Sequence, residues 1–153
     1  MKIATVDDVP QLVDLMAEFY AESDYSLDRP AAARAFAILL SDRKLGYVWI
    51  IESGSVTAGY LVLTLRFGME YGGTVASLDD MFLVPRFRNA GFARKALAEL
   101  HRFCQSEKIH AISVDVGQEN GPAQRVYRKA GFAETDRQLL ILTISSEALG
   151  ARQ

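Results

Sequence analysis

Apolar positions change their spacing several times along this chain, and each change predicts an element. Val9, Leu12, Val13, Leu15, Met16, Phe19 and Tyr20 follow the helical period, which predicts a helix with one buried face. Lys2–Val6 before it reads as a short edge strand, with Asp7 or Asp8 as the helix cap. Ser23–Arg29 is polar and reads as a loop. Pro30 then suits the first turn of a second helix, Ala31–Leu40. Tyr47–Ile51 and Val56–Leu65 are rich in β-branched and aromatic residues, and Ser53-Gly54 between them signals a hairpin. Phe67–Gly73 reads as a loop or the irregular end of a hairpin, and Thr74–Val84 as the next strand. The helical period returns in Ala93, Ala96, Leu97, Leu100, Phe103 and Cys104, with Arg94, Lys95, Glu99, Arg102 and Gln105 on the opposite face. Ala111–Val116 alternates as a strand, and a helix follows over Gly121–Ala130 behind Asn120. Gly131 suits the left-handed position after that helix. Phe132–Thr135 and Leu139–Ile144 read as closing strands. The order predicts an α/β fold, a mixed sheet covered by helices with strand-helix-strand crossovers in its second half.

The candidate chemistry sits in Met81–Leu97, where an apolar strand runs through a short basic loop into an amphipathic helix. Such a junction brings unpaired backbone N–H groups, a helix N-terminus and the cations Arg88, Arg94 and Lys95 to one point, a receptor for a phosphate or pyrophosphate. A side chain at Gly91 would stand between the loop backbone and an approaching anion. Ala93 is nearly as small, which places the ligand close to the first helical turn as well. An ordinary strand-to-helix turn with solvated basic residues carries the same local pattern.

Bulk properties narrow the field. A length of 153 residues suits a single domain, residues 1–153, with a real core. A formal net charge of −2 argues against a general nucleic-acid binder, which needs a basic surface. The N-terminus lacks the apolar core of a signal peptide, and no run approaches a membrane span. One cysteine, Cys104, excludes an internal disulfide and suits a reducing, cytoplasmic setting. It lies on the apolar stripe of its helix, where packing is its expected role. His101 and His110 have no metal-like spacing with each other or with Cys104, so no metal site is expected.

This element order, with Arg88-Asn89-Ala90-Gly91-Phe92-Ala93 at the main junction, resembles the GNAT superfamily of acyl-CoA-dependent N-acetyltransferases. The family signature there is Arg/Gln-x-x-Gly-x-Gly/Ala after an apolar strand. Asn120-Gly121-Pro122-Ala123-Gln124-Arg125-Val126-Tyr127-Arg128-Lys129-Ala130-Gly131-Phe132 is similar to a second family segment, Asn-x-x-Ala-x-x-x-Tyr-x-x-x-Gly-Phe. Asn89 stands where many relatives carry glycine, and Ala93 takes the tolerated alternative; neither removes a backbone donor.

The resemblance implies a mostly antiparallel, twisted sheet with splayed central strands. It implies acetyl-CoA as cosubstrate, with its pyrophosphate on the backbone of Arg88, Asn89, Ala90, Gly91, Phe92, Ala93 and Arg94 and its pantetheine arm along Phe82, Leu83 and Val84. Asn120 is implied at the cofactor too, although it also serves as a plain helix cap. The resemblance makes Tyr127 the general acid and a backbone N–H near Leu83 or Val84 the oxyanion donor. Leu78-Asp79-Asp80-Met81-Phe82 is similar to a stretch of diamine acetyltransferases, which favours Asp79 over Asp80 as the group that meets the amine. Successive strand residues face opposite ways, so one of the two should face the substrate unless a bulge intervenes. Glu119 is a weaker candidate.

The acceptor side of such enzymes corresponds here to Glu18, Tyr20, Glu22, Asp24, Tyr25, Glu70 and Tyr71, acids and aromatics that suit a small cationic amine or polyamine. The expectation is an N-acetyltransferase acting on a primary amine by direct attack in a ternary complex. The family analogy also allows a homodimer through Leu139–Ile144. A catalytically silent acyl-CoA-binding module is the rival reading. A nucleotide site is a third, disfavoured because neither a Gly-x-x-x-x-Gly-Lys-Ser/Thr nor a Gly-x-Gly-x-x-Gly loop is present.

Overall fold

The computed structural model describes residues 1–144. Strand β1 (Lys2–Ile3) leads through a turn of 3-10 helix into helix α1 (Val9–Ala21), and α2 (Arg29–Ser41) follows. Strands β2 (Gly46–Ser53), β3 (Val56–Gly68) and β4 (Gly73–Leu83) form the middle of the chain. Helix α3 (Phe92–Ser106), strand β5 (Ile112–Val114) and helix α4 (Gly121–Lys129) complete the elements. The five strands lie in the order β1-β2-β3-β4-β5, antiparallel up to β4, with β5 parallel to β4.

Helices cover both faces of this sheet, so its central strands are apolar at nearly every position rather than at alternate ones. On one face α1 and α2 bury Leu12, Val13, Met16 and Phe36 against Val48, Ile50, Tyr60, Val62 and Phe82. On the other, Leu97, Leu100 and Cys104 of α3 pack on Trp49, Leu61, Leu63, Ala76 and Leu78. The apolar stripes of α1 and α3 thus reach the core as their periodicity predicts. Asp28 caps α2, its carboxylate accepting from the Ala31 N–H at 2.9 Å. Gly59 is required by a close approach: a Cβ there would lie 2.0 Å from the Phe82 carbonyl oxygen on β4.

Strand β4 changes character along its length. Ala76, Ser77 and Leu78 pair with Ile112, Ser113 and Val114, and there β5 ends. From Asp80 to Leu83 the strand pairs only with β3. Past Leu78 one edge of β4 is therefore open.

The two closing strands do not form. Residues 132–144 carry no strand, and Leu139, Leu140, Ile141, Leu142 and Ile144 are exposed. Ion pairs hold this segment instead, from Arg128 to Glu134 and from Arg137 to Glu70 at the tip of the β3–β4 hairpin. A run of β-propensity makes a strand only when a sheet edge lies alongside it, and this one meets none. Residues 145–153 of the expected single domain lie outside the described part.

Candidate active site

At the end of β4 the chain makes a short 3-10 turn, Pro85–Phe87, and enters α3 through two left-handed residues, Asn89 at φ 58° and Gly91 at φ 83°. Asparagine and glycine are the residues that hold this conformation at least cost. Among the described residues, the N–H groups of Asn89, Ala90, Gly91, Phe92, Ala93 and Arg94 meet no protein acceptor. A Cβ at Gly91 would point into open space. The cradle therefore has free donors, a helix N-terminus and room for a ligand at the position the sequence singles out.

Arg88 departs from expectation. Its own amide is used by the Pro85 carbonyl at 3.1 Å, so it offers no main-chain donor. Its guanidinium reaches back, with Nε donating to the Leu83 carbonyl at 2.8 Å and Nη2 to Glu22, the residue that caps the end of α1, at 2.5 Å.

The bare edge of β4 refines two further positions. The Val84 N–H donates to the Ala58 carbonyl across the β3 pair at 2.9 Å, so Val84 is not a free donor. By alternation Leu83 turns its amide toward the edge that β5 leaves open, which makes Leu83 the available oxyanion donor of the two. Phe82 turns neither its side chain nor its carbonyl to that open edge. Its side chain is buried in the α1–α2 core, 5.5 Å from the Phe19 ring, and its carbonyl oxygen faces Gly59.

Asp79 is a bulge. Val62 pairs with Asp80 and Leu63 with Leu78, leaving Asp79 with no partner on β3. The extra residue reverses the alternation of β4, so Ala76 and Leu78 enter the α3 core while Phe82 enters the α1–α2 core. As a result both carboxylates line one cavity of about 250 Å³ between the sheet and the helices α1 and α2. Tyr20, Phe36 and Thr64 share its wall.

The two acids differ within that cavity. Asp79 is exposed and accepts from Thr64 Oγ1 at 3.1 Å. Asp80 is partly buried and accepts from the Tyr60 hydroxyl at 2.9 Å. Burial pushes the Asp80 carboxyl above the usual range, the Tyr60 hydrogen bond opposes this, and the charge on Asp79 adds to the rise. The sequence pattern ranks Asp79 first; burial and hydrogen bonding single out Asp80.

Tyr127 on α4 is partly buried against Phe132, with ring centroids 5.5 Å apart. Burial, and then the Asp80 charge, raise its hydroxyl pKa, so it keeps its proton at neutral pH. Tyr20 is raised for the same two reasons. The Asn120 side chain accepts from the Ala123 N–H at 3.2 Å as the cap of α4. Cys104 is buried, and burial pushes its thiol up to about 11, as a packing residue requires. Glu22 and Glu70 are held by Arg88 and Arg137. The described residues contain no group of three or more metal-type side chains. A larger open cleft of about 430 Å³, lined by Arg43, Lys44 and Arg66, lies at the C-terminal end of β3, beside Leu65 and Phe67.

Sequence reasoning missed Tyr60, which reads as one more core aromatic. Its only signal is a hydroxyl in a strand buried on both faces, where a lone donor needs a partner.

Comparison with known proteins agrees with this geometry. The model of the acetyltransferase (GNAT) family matches residues 9–132. An aminoglycoside N(6')-acetyltransferase type 1 of Salmonella typhimurium is 26% identical over 103 residues, covering 65% of this chain and 70% of the relative. The crystal structure of an integron cassette protein from the mobile metagenome of Cole Harbour Salt Marsh is 40% identical with a TM-score of 0.87, covering 94% of this chain and 90% of that one. A predicted acetyltransferase from Clostridium acetobutylicum, solved with acetyl-CoA, shares the fold at 21% identity and a TM-score of 0.76, over 92% of this chain and 94% of its own. The chain belongs to the acetyltransferase (GNAT) family, the transferases that use acetyl-CoA as cosubstrate.

Proposed function

We propose that this protein acetylates a primary amino group on a small cationic or polyamine-like acceptor, by direct attack of the amine in a ternary complex. The observation that carries this reading is the β4 bulge, which turns Asp79 and Asp80 into one cavity beside the strand edge that β5 leaves bare. Two carboxylates with aromatic walls suit a substrate that arrives with more than one positive charge.

Acetyl-CoA fits the loop chemically: six free amides, the N-terminus of α3 and the open space at Gly91 face the place its diphosphate would take. Bound there, it supplies an acyl group activated as a thioester. Asp79, exposed at the cavity, holds the cationic acceptor. Asp80 takes the proton from the attacking nitrogen, because an alkylammonium of pKa about 10 is no nucleophile at neutral pH. A carboxyl raised by burial is a better base than an exposed one. The Leu83 N–H donates to the carbonyl oxygen as charge develops there. Tyr127 donates its hydroxyl proton to the departing sulfur. Asn120 steadies the start of α4, which carries Tyr127.

Thiol release measured with acetyl-CoA and an amine panel tests this directly. The panel holds simple alkylamines, linear polyamines and an aminoglycoside, the last because relatives bear that name. Turnover is expected to rise with the number of cationic centres on the acceptor. Saturable acetyl-CoA binding with no release for any amine would instead establish the silent binding module for that panel. The exposed run Leu139–Leu142 supports a homodimer, and sedimentation of the full chain would show a mass near one chain if that is wrong.

A further inference from the structure

Resting on the assignment of Asp80 as the carboxylate at the acceptor, we propose that Tyr60 is a positioning residue that holds Asp80 ionised and aimed into the acceptor cavity. Tyr60 lies on β3, across the diagonal from Asp80 on β4, and is 0% exposed. Its ring is wedged edge-on against Phe36 at 6.1 Å and tilted against Phe82 at 6.3 Å. The side chain therefore has no room to swing, and its hydroxyl ends 2.9 Å from Asp80 Oδ2. The buried cluster it belongs to includes the apolar Val48, Ile50, Val62 and Phe82, with Tyr20 of α1 packed against it. A hydroxyl in such surroundings is costly without a partner, and the partner here is one oxygen of a carboxylate that lines the cavity.

The geometry has two consequences. A donated O–H favours the ionised carboxylate, so Tyr60 counteracts the burial that would keep Asp80 protonated. It also occupies Oδ2 and leaves the other oxygen for the incoming amine. Tyr60 on β3 and Asp79 on β4 act on Asp80, and the Asp80 charge in turn reaches Tyr20 on α1 and Tyr127 on α4. Helix α2 contributes only apolar wall, including Phe36 and Leu39. No cation among the described residues pairs with Asp80, so a tyrosine performs the task that an arginine or lysine performs elsewhere.

The bulge makes the contact possible. With Asp79 unpaired, Asp80 comes to the same face of the sheet as Tyr60, whereas Leu78 points to the opposite face.

The test compares the full chain with Tyr60→Phe, Asp80→Asn and the double variant, using the best acceptor of the panel. Phenylalanine keeps the ring and removes the donor alone. For Tyr60→Phe the acid limb of kcat/KM against pH should move up by roughly one unit, a loss of about tenfold on the limb that recovers at the alkaline plateau. Asp80→Asn should remove the limb and lower the rate about a hundredfold. The double variant should be no slower than Asp80→Asn, because Tyr60 acts only through that carboxyl. An equal loss at every pH for Tyr60→Phe, or an unmoved limb, would overturn the inference while leaving the Asp80 assignment intact. A wild-type limb in Asp80→Asn would instead remove the assignment beneath it. Titration of the Asp80 carboxyl by carbon-13 NMR in the free protein needs no turnover. Its pKa should rise in Tyr60→Phe, and an unchanged value would refute the proposal.

Discussion

The two halves of β4 share one strand and one neighbour, β3, yet behave as different materials. From Gly73 to Leu78 the strand has β3 on one edge and, over Ala76–Leu78, β5 on the other, and Ala76 and Leu78 sink into the α3 core. From Asp79 to Leu83 one edge is bare, a bulge breaks the alternation, and two carboxylates face a cavity. The first half holds the fold together and the second leaves hydrogen-bonding groups unmet for a ligand to take up. Backbone satisfaction and function therefore compete along a single strand, and the point where β5 departs separates them.

The largest test of that division is Gly91→Glu, at the turn that the open half feeds. A carboxylate would occupy the anion's place from a backbone at φ 83° that disfavours any side chain. Calorimetric titration should show acetyl-CoA affinity falling by about two orders of magnitude or more, since one repelled charge in a desolvated site costs on the order of 3 kcal/mol. Affinity equal to that of the wild type would show that the loop is not the cradle. Leu78→Ala, in the paired half, should do the reverse. It empties a buried site at a cost of about 3 kcal/mol in denaturant unfolding, with kcat per folded molecule unchanged. A variant that keeps full stability would contradict the role given to that half.

Tyr127→Phe comes next, with kcat down about a hundredfold and KM for the amine little altered if the hydroxyl protonates the leaving group. An unaltered kcat would return Tyr127 to its packing role. Asp80→Asn sharpens the contrast from the stability side. Burial raises the folded-state pKa above that of the unfolded chain, so the folded form retains a proton that the unfolded form has lost. Stability therefore falls as pH rises through that window, and the full penalty stands at neutral pH. Asparagine does not titrate and still accepts from Tyr60. The variant should melt a few degrees higher, about 2–4 °C, at pH 7–8, and the gain should vanish below pH about 4. A melting difference independent of pH would mean that Asp80 pays no burial penalty. Glu22→Gln is the smallest. Its pair with Arg88 is exposed and worth about 0.5 kcal/mol, so the amine KM should change no more than two- to threefold.

Much of this was legible in the residues because it is local. The junction at Arg88–Arg94 is written in consecutive positions: an apolar strand, a left-handed glycine, a small residue in the first turn of α3. The faces of α1 and α3 follow from spacing within each helix. Asn120 announces its cap, and Cys104 its burial, by the company each keeps within a few residues. Leu139–Ile144 shows where that method fails. Its composition is that of a strand, but pairing needs a neighbour, and nothing within the segment states whether one is present.

Residue type and short-range period by themselves determined the helices, the central strands and the turn of free amides before α3, and two motif resemblances pointed to the acetyltransferase family. Only the tertiary structure decided that Asp79 is the bulge and Asp80 the partly buried acid, that Tyr60 is its donor, that Leu83 rather than Val84 has a free amide, and that Arg88 turns back to Glu22. Each of those depends on register between strands or on contact between residues far apart in the chain. A one-residue slip in pairing sends every following side chain to the other face, and no local pattern carries that information.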